Sequence, residues 1–512
     1  MATRLSHPTP PSPRRGLRPP WPTLGLHFNA AGSVNLVNPI SEVKAYTSLT
    51  ALPIVAAGVR ADGRCAYHGG MNALSALLAA AALAALPAPA PPPGASLVAS
   101  PEKGWPQWRG PRRDGVSDEK GLLQAWPAEG PKQLWFAGGL GRGYSSPIIA
   151  GARLFITGDV GPELRIFAFD LQGKPLWQAA NGKAWTGSYP GSRSSCAYRA
   201  GRLYHKNSHG RVAFLDPATG REIWAVETAE RFGVEQITWG LSECLLVDEG
   251  RVYVTVGVPK AMMAALDART GSTLWASEPI LCGASSPPQH LRVAEPAGKP
   301  DSSSYASPIL LTLGKRRLLV QCSLRHAFCV DADDGKLLWT RPLKTQFDVI
   351  GITPTVAGGG VFVTGPDSEG GKLYRLAEAG GTVTAEEAWS TTLDTCHGGV
   401  VAVGGRLYSS WYRKPAWGCL DAATGREVAH CAERDMGSLT YADGRLYMLS
   451  QSGGMMLARP TAAGFEVVSR FPLVQERRDD VWAHPVICAG RLYLRSHETL
   501  RCYDVRAKQP AR

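Results

Sequence analysis

Beyond about residue 130 the chain alternates apolar and polar side chains in short runs separated by Gly, Asp and Pro. That is the pattern of β-strands joined by tight turns. A unit of roughly 45 residues recurs, within the range of propeller blades. Its first half is a Gly, a basic residue and an alternating strand: GARLFIT from Gly151, GRLYHK from Gly201, GRVYVT from Gly250, GRLYSS from Gly405, GRLYML from Gly444 and GRLYLR from Gly490. Two degenerate copies, GKRRLLV from Gly314 and GGVFV from Gly359, bring the number to eight.

The second half is a strand ending in Asp, a tight turn and a strand ending in Trp, as in VAFLDPATGREIW, MAALDARTGSTLW and FCVDADDGKLLW. Their indoles are Trp224, Trp275 and Trp339; a shortened copy ends at Trp177 and a weaker one at Trp389, while GCLDAATGREVAH keeps the turn and loses the Trp. Gly220, Gly271, Gly335 and Gly425 fall where a hairpin needs positive φ. One indole per blade at a fixed offset is expected to pack on the next blade and offer its N–H to a carbonyl there. A short apolar strand precedes each Gly-initiated one, giving four strands per unit.

The ends complete each other. The last unit stops at LRCYDV near Asp504 without a fourth strand, whereas KQLWFA around Trp135 is a fourth strand without its first three. Pairing them closes the ring and removes the open sheet edges. The expected fold is all-β: an eight-bladed propeller of four-stranded antiparallel blades, sealed by its N- and C-terminal strands.

Composition supports many short elements, with 57 Gly, 39 Pro and 15 Trp. The net charge of +12 divides into +5 over residues 1–100, from seven Lys/Arg against two Asp/Glu, and only +7 over the rest. A mildly basic surface with interleaved signs is no phosphate-tracking stripe, so a nucleic-acid partner is not expected. Eleven cysteines include no CxxC and no adjacent pair, which removes zinc-ribbon, thioredoxin-like and c-type haem readings. Cys329, Cys419 and Cys502 recur just before an Asp, as small residues packed within blades do.

Residues 1–70 are Pro-rich and lack a strand or helix period, so they read as disordered or as an upstream segment outside the protein proper. Residues 71–100 resemble a signal peptide with a Pro/Ala linker, which implies export to the periplasm or an equivalent envelope space. An uncleaved signal anchor is the alternative. Residues 101–130 form an N-terminal extension opening on WPQWRGP, 131–506 the propeller and 507–512 a tail.

The D-x-x-T-G-x-x-x-W strands, the repeated GRLY and the WPQWRGP opening resemble the pyrroloquinoline-quinone-like repeat family. That family includes quinoprotein alcohol dehydrogenases and the propeller lipoprotein of the outer-membrane β-barrel assembly machinery. The dehydrogenases hold the quinone with a vicinal Cys-Cys disulfide, a Trp platform and a calcium ion. No Cys-Cys occurs here and no Glu/Asn/Asp calcium set aligns, so neither the quinone nor calcium, nor any other metal, is expected.

Residues preceding each inner strand lie at one mouth of a propeller's channel, where ligands and partners bind. In order these are Tyr144, Arg193, Trp239, Tyr305, Asp348, His397, Asp435 and His484. Arg193 suits an anionic group, the histidines ligation or proton relay, and the aspartates a cation. Trp135, Trp177, Trp224, Trp275, Trp339 and Trp389 are assigned to packing between blades. No catalytic residue is assigned; His205 with His209 and the CHGGV run at Cys396 are weak fragments of metal and nucleophile motifs. The function expected is a monomeric, non-catalytic binding or scaffold propeller with an envelope protein partner or a small ligand at the mouth. A quinone-dependent alcohol or sugar dehydrogenase is the alternative, and a carbohydrate binder using Trp239, Tyr305 and Trp411 a second.

Overall fold

A computed structural model describes residues 94–283, 297–431, 433, 435–474 and 480–507. The leader-like residues 71–93 and the proposed tail from 508 lie outside them. The repeat folds into eight antiparallel four-stranded blades with a single short helix, Thr228–Phe232, among the described residues. The inner strands, in chain order, are Ile148–Ala150, Ala197–Arg199, Leu246–Asp248, Ile309–Leu313, Thr355–Ala357, Val400–Val403, Gly437–Ala442 and Val486–Cys488. They define blades 1 to 8. Blade 8 is completed by Gln133–Ala137, which pairs antiparallel with Thr499–Asp504 and so closes the ring.

The apolar residues form eight clusters, each at the seam between two neighbouring blades. Leu203 faces Ile148 and Ile166 of blade 1, whereas the next residue, Tyr204, faces Val252 and Val254 of blade 3. Both faces of the sheet are therefore buried, and the two-residue period of a strand distributes its side chains between two seams.

The Asp-to-Trp motif has a local cause. Asp216 Oδ1 accepts the N–H groups of Ala218 and Thr219 at 2.8 and 3.0 Å, and Gly220 N–H returns to Asp216 O at 2.8 Å. Gly220 turns at φ 74°, which a side chain rarely tolerates. Asp267 and Asp421 build the same turn.

Each turn receives the indole of the preceding blade. Rings of Trp135, Trp177, Trp224, Trp275 and Trp389 cover Gly173, Gly220, Gly271, Gly335 and Gly425. Nε1 of Trp135, Trp177 and Trp389 donates to Leu171, Pro217 and Ala422 carbonyls at 3.0 to 3.2 Å. Trp339 meets Tyr374 of blade 5 instead, 6.4 Å between centroids.

A β-bulge, unforeseen in the sequence, lies on the outer strand of every blade just ahead of the indole position. In four blades it sets Trp opposite a small residue, Ala168 facing Trp177, Ala265 facing Trp275, Cys329 facing Trp339 and Cys502 facing Trp135, whereas Trp224 faces Phe214 and Trp389 faces Leu373. The bulged residues Leu176, Ile223 and Leu274 are left more than 40% exposed. Twisting an edge strand in this way blunts it against pairing with other chains.

The N-terminal extension is not an appendage. Ser96–Leu97 adds an antiparallel fifth strand to the inner edge of blade 4, and Val116–Ser117 a parallel one to blade 7. Between them the chain bonds to Ile149 in blade 1 through Trp105 and to Tyr198 in blade 2 through Pro106 O, each at 2.8 Å. Arg113 reaches blade 3, Trp108 blade 5, Arg109 blade 6 and Ser117 blade 8. Residues 96–117 thus touch the inner strand, or the residues leading into it, of all eight blades and plug the central channel.

Candidate functional site

With the channel filled, one mouth becomes a cup whose floor is the plug. Two arginines stiffen that floor. Arg113 donates to the carbonyls of Cys244 and Leu245 at 2.7 and 3.0 Å and to Gln107 Oε1 at 3.3 Å. Arg109 donates to the carbonyls of Asp114, at 2.9 Å, and Val400. Neither has a carboxylate within bonding range among the described residues, and burial lowers both from 12.5 to about 10. Carbonyl dipoles take the place of a counter-ion, a costly arrangement tolerated where the charge fixes a loop.

The rim gathers around Trp482, a residue the repeat spacing does not single out. Its ring stacks on Tyr144 at 4.6 Å and lies 4.7 Å from His397 and 5.1 Å from Tyr189. Arg193 stands 5.7 Å over both Tyr144 and Trp185 and donates to the Ser188 and Tyr189 carbonyls at 2.9 and 2.8 Å. His484 lies deeper, edge-on to Trp108 at 4.5 Å, with Nε2 donating to His397 O at 3.0 Å. Tyr144, Arg193, His397 and His484 therefore share one site. Trp239 and Tyr305 form a second aromatic pair, 5.7 Å apart.

The two aspartates do not join them. Asp348 is held by Arg325 at 2.8 Å, and Asp435 accepts Ser452 N at 3.1 Å as well as its hydroxyl, so each fastens a turn. Trp411 covers Gly418 of its own blade rather than meeting Trp239 or Tyr305.

Protonation at the cup is set by burial. His397 falls from 6.5 to about 4 and His484 to about 3, the latter also opposed by Arg109, so both are neutral at pH 7. His397 Nε2, His484 Nδ1 and Arg109 Nε and Nη1 have no hydrogen-bond partner among the described residues. Burial lifts the Cys396 thiol to about 12, which suppresses the thiolate a nucleophile needs. His205 bonds Asn181, at 2.8 Å, whereas His209 bonds Ala184 O, at 3.0 Å, so this pair does not converge.

Fold, repeat and plugged mouth define a pyrroloquinoline-quinone-like repeat propeller. The family described as outer membrane protein assembly factor BamB matches residues 113–281 and 263–510, and the chain belongs to it. The BamB of Nitrosomonas eutropha is 29% identical over 228 residues, 44% of either chain, so the match spans under half of that relative's length. The quinohemoprotein alcohol dehydrogenase of Comamonas testosteroni superposes with a TM-score of 0.53 at 13% identity, covering 80% of this chain and 81% of that one, a likeness of fold. The BamB structure from Moraxella catarrhalis gives a TM-score of 0.48 at 12% identity, covering 74% and 99%.

Proposed function

We propose that the chain is an exported, non-catalytic scaffold of the cell envelope that engages a protein partner through the Trp482 cup. The observation that carries this reading is the plug: a cup floored by the chain itself offers a surface rather than a passage. Its half-buried components, aromatic rings beside one arginine, are those enriched at the centres of protein interfaces. The relatives' name, outer membrane protein assembly factor, suggests the partner class: components that assemble outer-membrane proteins.

The residues present do not fit calcium with pyrroloquinoline quinone. The mouth aspartates are committed to Arg325 and Ser452, Trp108 and Arg109 stand in the channel, and no adjacent cysteines exist to form the vicinal disulfide.

A photo-reactive residue at position 482, introduced in the native envelope, is expected to crosslink a discrete assembly component. Arg193→Glu should abolish the product. Saturable absorption changes and dye-linked alcohol oxidation on adding the quinone with calcium would overturn the scaffold reading.

A further inference from the structure

Blade 4 contains a side-chain cluster that the cup does not use. Cys282 and Asp301 come from the two ends of the connection between blades 3 and 4, and His326 opens the strand His326–Asp331. All three are buried, and their donor atoms lie within 4.8 Å of one another. A short antiparallel return fixes the first two: Cys282 N–H reaches Lys299 O at 2.9 Å, Gly298 N–H reaches Cys282 O at 2.9 Å, and Asp301 N–H reaches Ile280 O at 2.8 Å. Asp301 Oδ2 is 2.8 Å from His326 Nδ1 and also accepts the Ser323 hydroxyl.

Part of this arrangement is a latch repeated around the ring. Asp301 accepts Arg325 N–H at 3.3 Å from the turn between the second and third strands of its blade. Asp394 in blade 6 does the same for Arg413 N–H at 3.2 Å, and Asp435 in blade 7 for Ser452. Neither of those aspartates hydrogen-bonds a thiol or imidazole among the described residues. The addition of Cys282 and His326 in blade 4 is what a latch leaves unexplained.

The donor set supplies the explanation. A soft thiolate, a borderline imidazole and a hard carboxylate together suit a borderline ion, and three protein donors with a fourth position free is an arrangement zinc adopts. Thiolate and carboxylate together carry two negative charges, matching a divalent ion. Arg325 Nη1 lies 3.8 Å from Cys282 Sγ, and the same guanidinium is held at 2.8 Å by Asp348. We propose that Cys282, Asp301 and His326 bind a zinc-type divalent ion at the entry to blade 4. On binding, the Cys282 thiol gives its proton to solvent, and His326 stays neutral, its ring proton carried on Nε2 so that Nδ1 is free to ligate.

The test uses the full chain, reduced and stripped with chelator, titrated with Co2+. One equivalent is expected to bind with a thiolate-to-cobalt charge-transfer band and the visible bands of a four-coordinate ion, all displaced by Zn2+. Cys282→Ser should remove the charge-transfer band, His326→Asn should weaken binding by at least about 10-fold, and Cys431→Ser should change neither. X-ray absorption on the zinc-loaded wild type, which needs no variant, should show one sulfur at about 2.3 Å with the remaining ligands near 2.0 Å. Absence of stoichiometric uptake, a zinc shell without sulfur, or a charge-transfer band that survives Cys282→Ser would overturn the assignment.

Discussion

Trp177 of blade 1 closes on Gly220 of blade 2: a Cβ at Gly220 would stand 2.5 Å from the indole, and Trp177 Nε1 donates to Pro217 O at 3.1 Å. The turn and the ring are thus one joint. Trp177→Ala should lower unfolding free energy by about 2–3 kcal/mol, less than for a fully buried aromatic because the indole is only partly covered. Gly220→Ala should cost at least about 1–2 kcal/mol from its left-handed backbone alone. Chemical denaturation of both variants and their double mutant would show strong non-additivity if the joint is a unit.

The plug should hold the ring. Removing residues 94–118 exposes the inner edges of blades 4 and 7, and a lower melting temperature with faster proteolysis is expected. Arg113→Ala isolates one contact: it leaves the Cys244 and Leu245 carbonyls without their donor and should cost about 1–3 kcal/mol. Unchanged melting in both cases would mean the extension merely rests in the channel.

Acid should destabilise the fold. His205 and His397 are lowered to about 4 and His484 to about 3, chiefly by burial, so the unfolded chain binds more protons below its usual value of 6.5. Stability is therefore complete above about pH 6.5 and is lost as pH falls towards 4 and below. Asp159, raised by burial to about 6, opposes this, since its folded form binds the extra proton between 3.8 and 6. Asp367, also raised by burial and by Asp394 beside it, acts in the same sense, and the three histidines outweigh these two carboxyls. Melting temperatures measured from pH 7.5 to 4.5 should fall, and His484→Gln should flatten the profile.

Lys206 and Glu243 form an ion pair of 2.8 Å with side chains only 1% and 2% exposed, at the seam of blades 2 and 3. Glu243 also accepts from Thr255, and Lys206 donates to Thr255 O. Lys206→Met should cost about 3–5 kcal/mol because it strands the carboxylate. Lys206→Met with Glu243→Gln should recover a substantial part, which urea titrations would measure.

Much of this was legible beforehand because it repeats. Eight Gly-initiated strands, the Asp-to-Trp turn and the split blade follow from a fixed spacing, and each is a strand or hairpin whose geometry dictates residue type. The plug was not legible: Trp105 to Arg113 has no period, and it binds through arginine-to-carbonyl contacts that any loop sequence can conceal. Trp482 is hidden for a related reason, since it stands two residues before His484, off the repeat position that precedes each inner strand. Asp348 and Asp435 occupy that position, but neighbouring donors, Arg325 and Ser452, draw them into turns.

The split blade also imposes an order of events. Gln133–Ala137 is synthesised before any complete blade, whereas its partner strand, Thr499–Asp504, follows almost the entire ring. Until then blade 1 faces an absent neighbour, and the indole of Trp135 has its Leu171 carbonyl but no sheet behind it. The closing strand serves as a timer: a chain interrupted just short of Thr499 carries nearly every blade and still has no sealed circle.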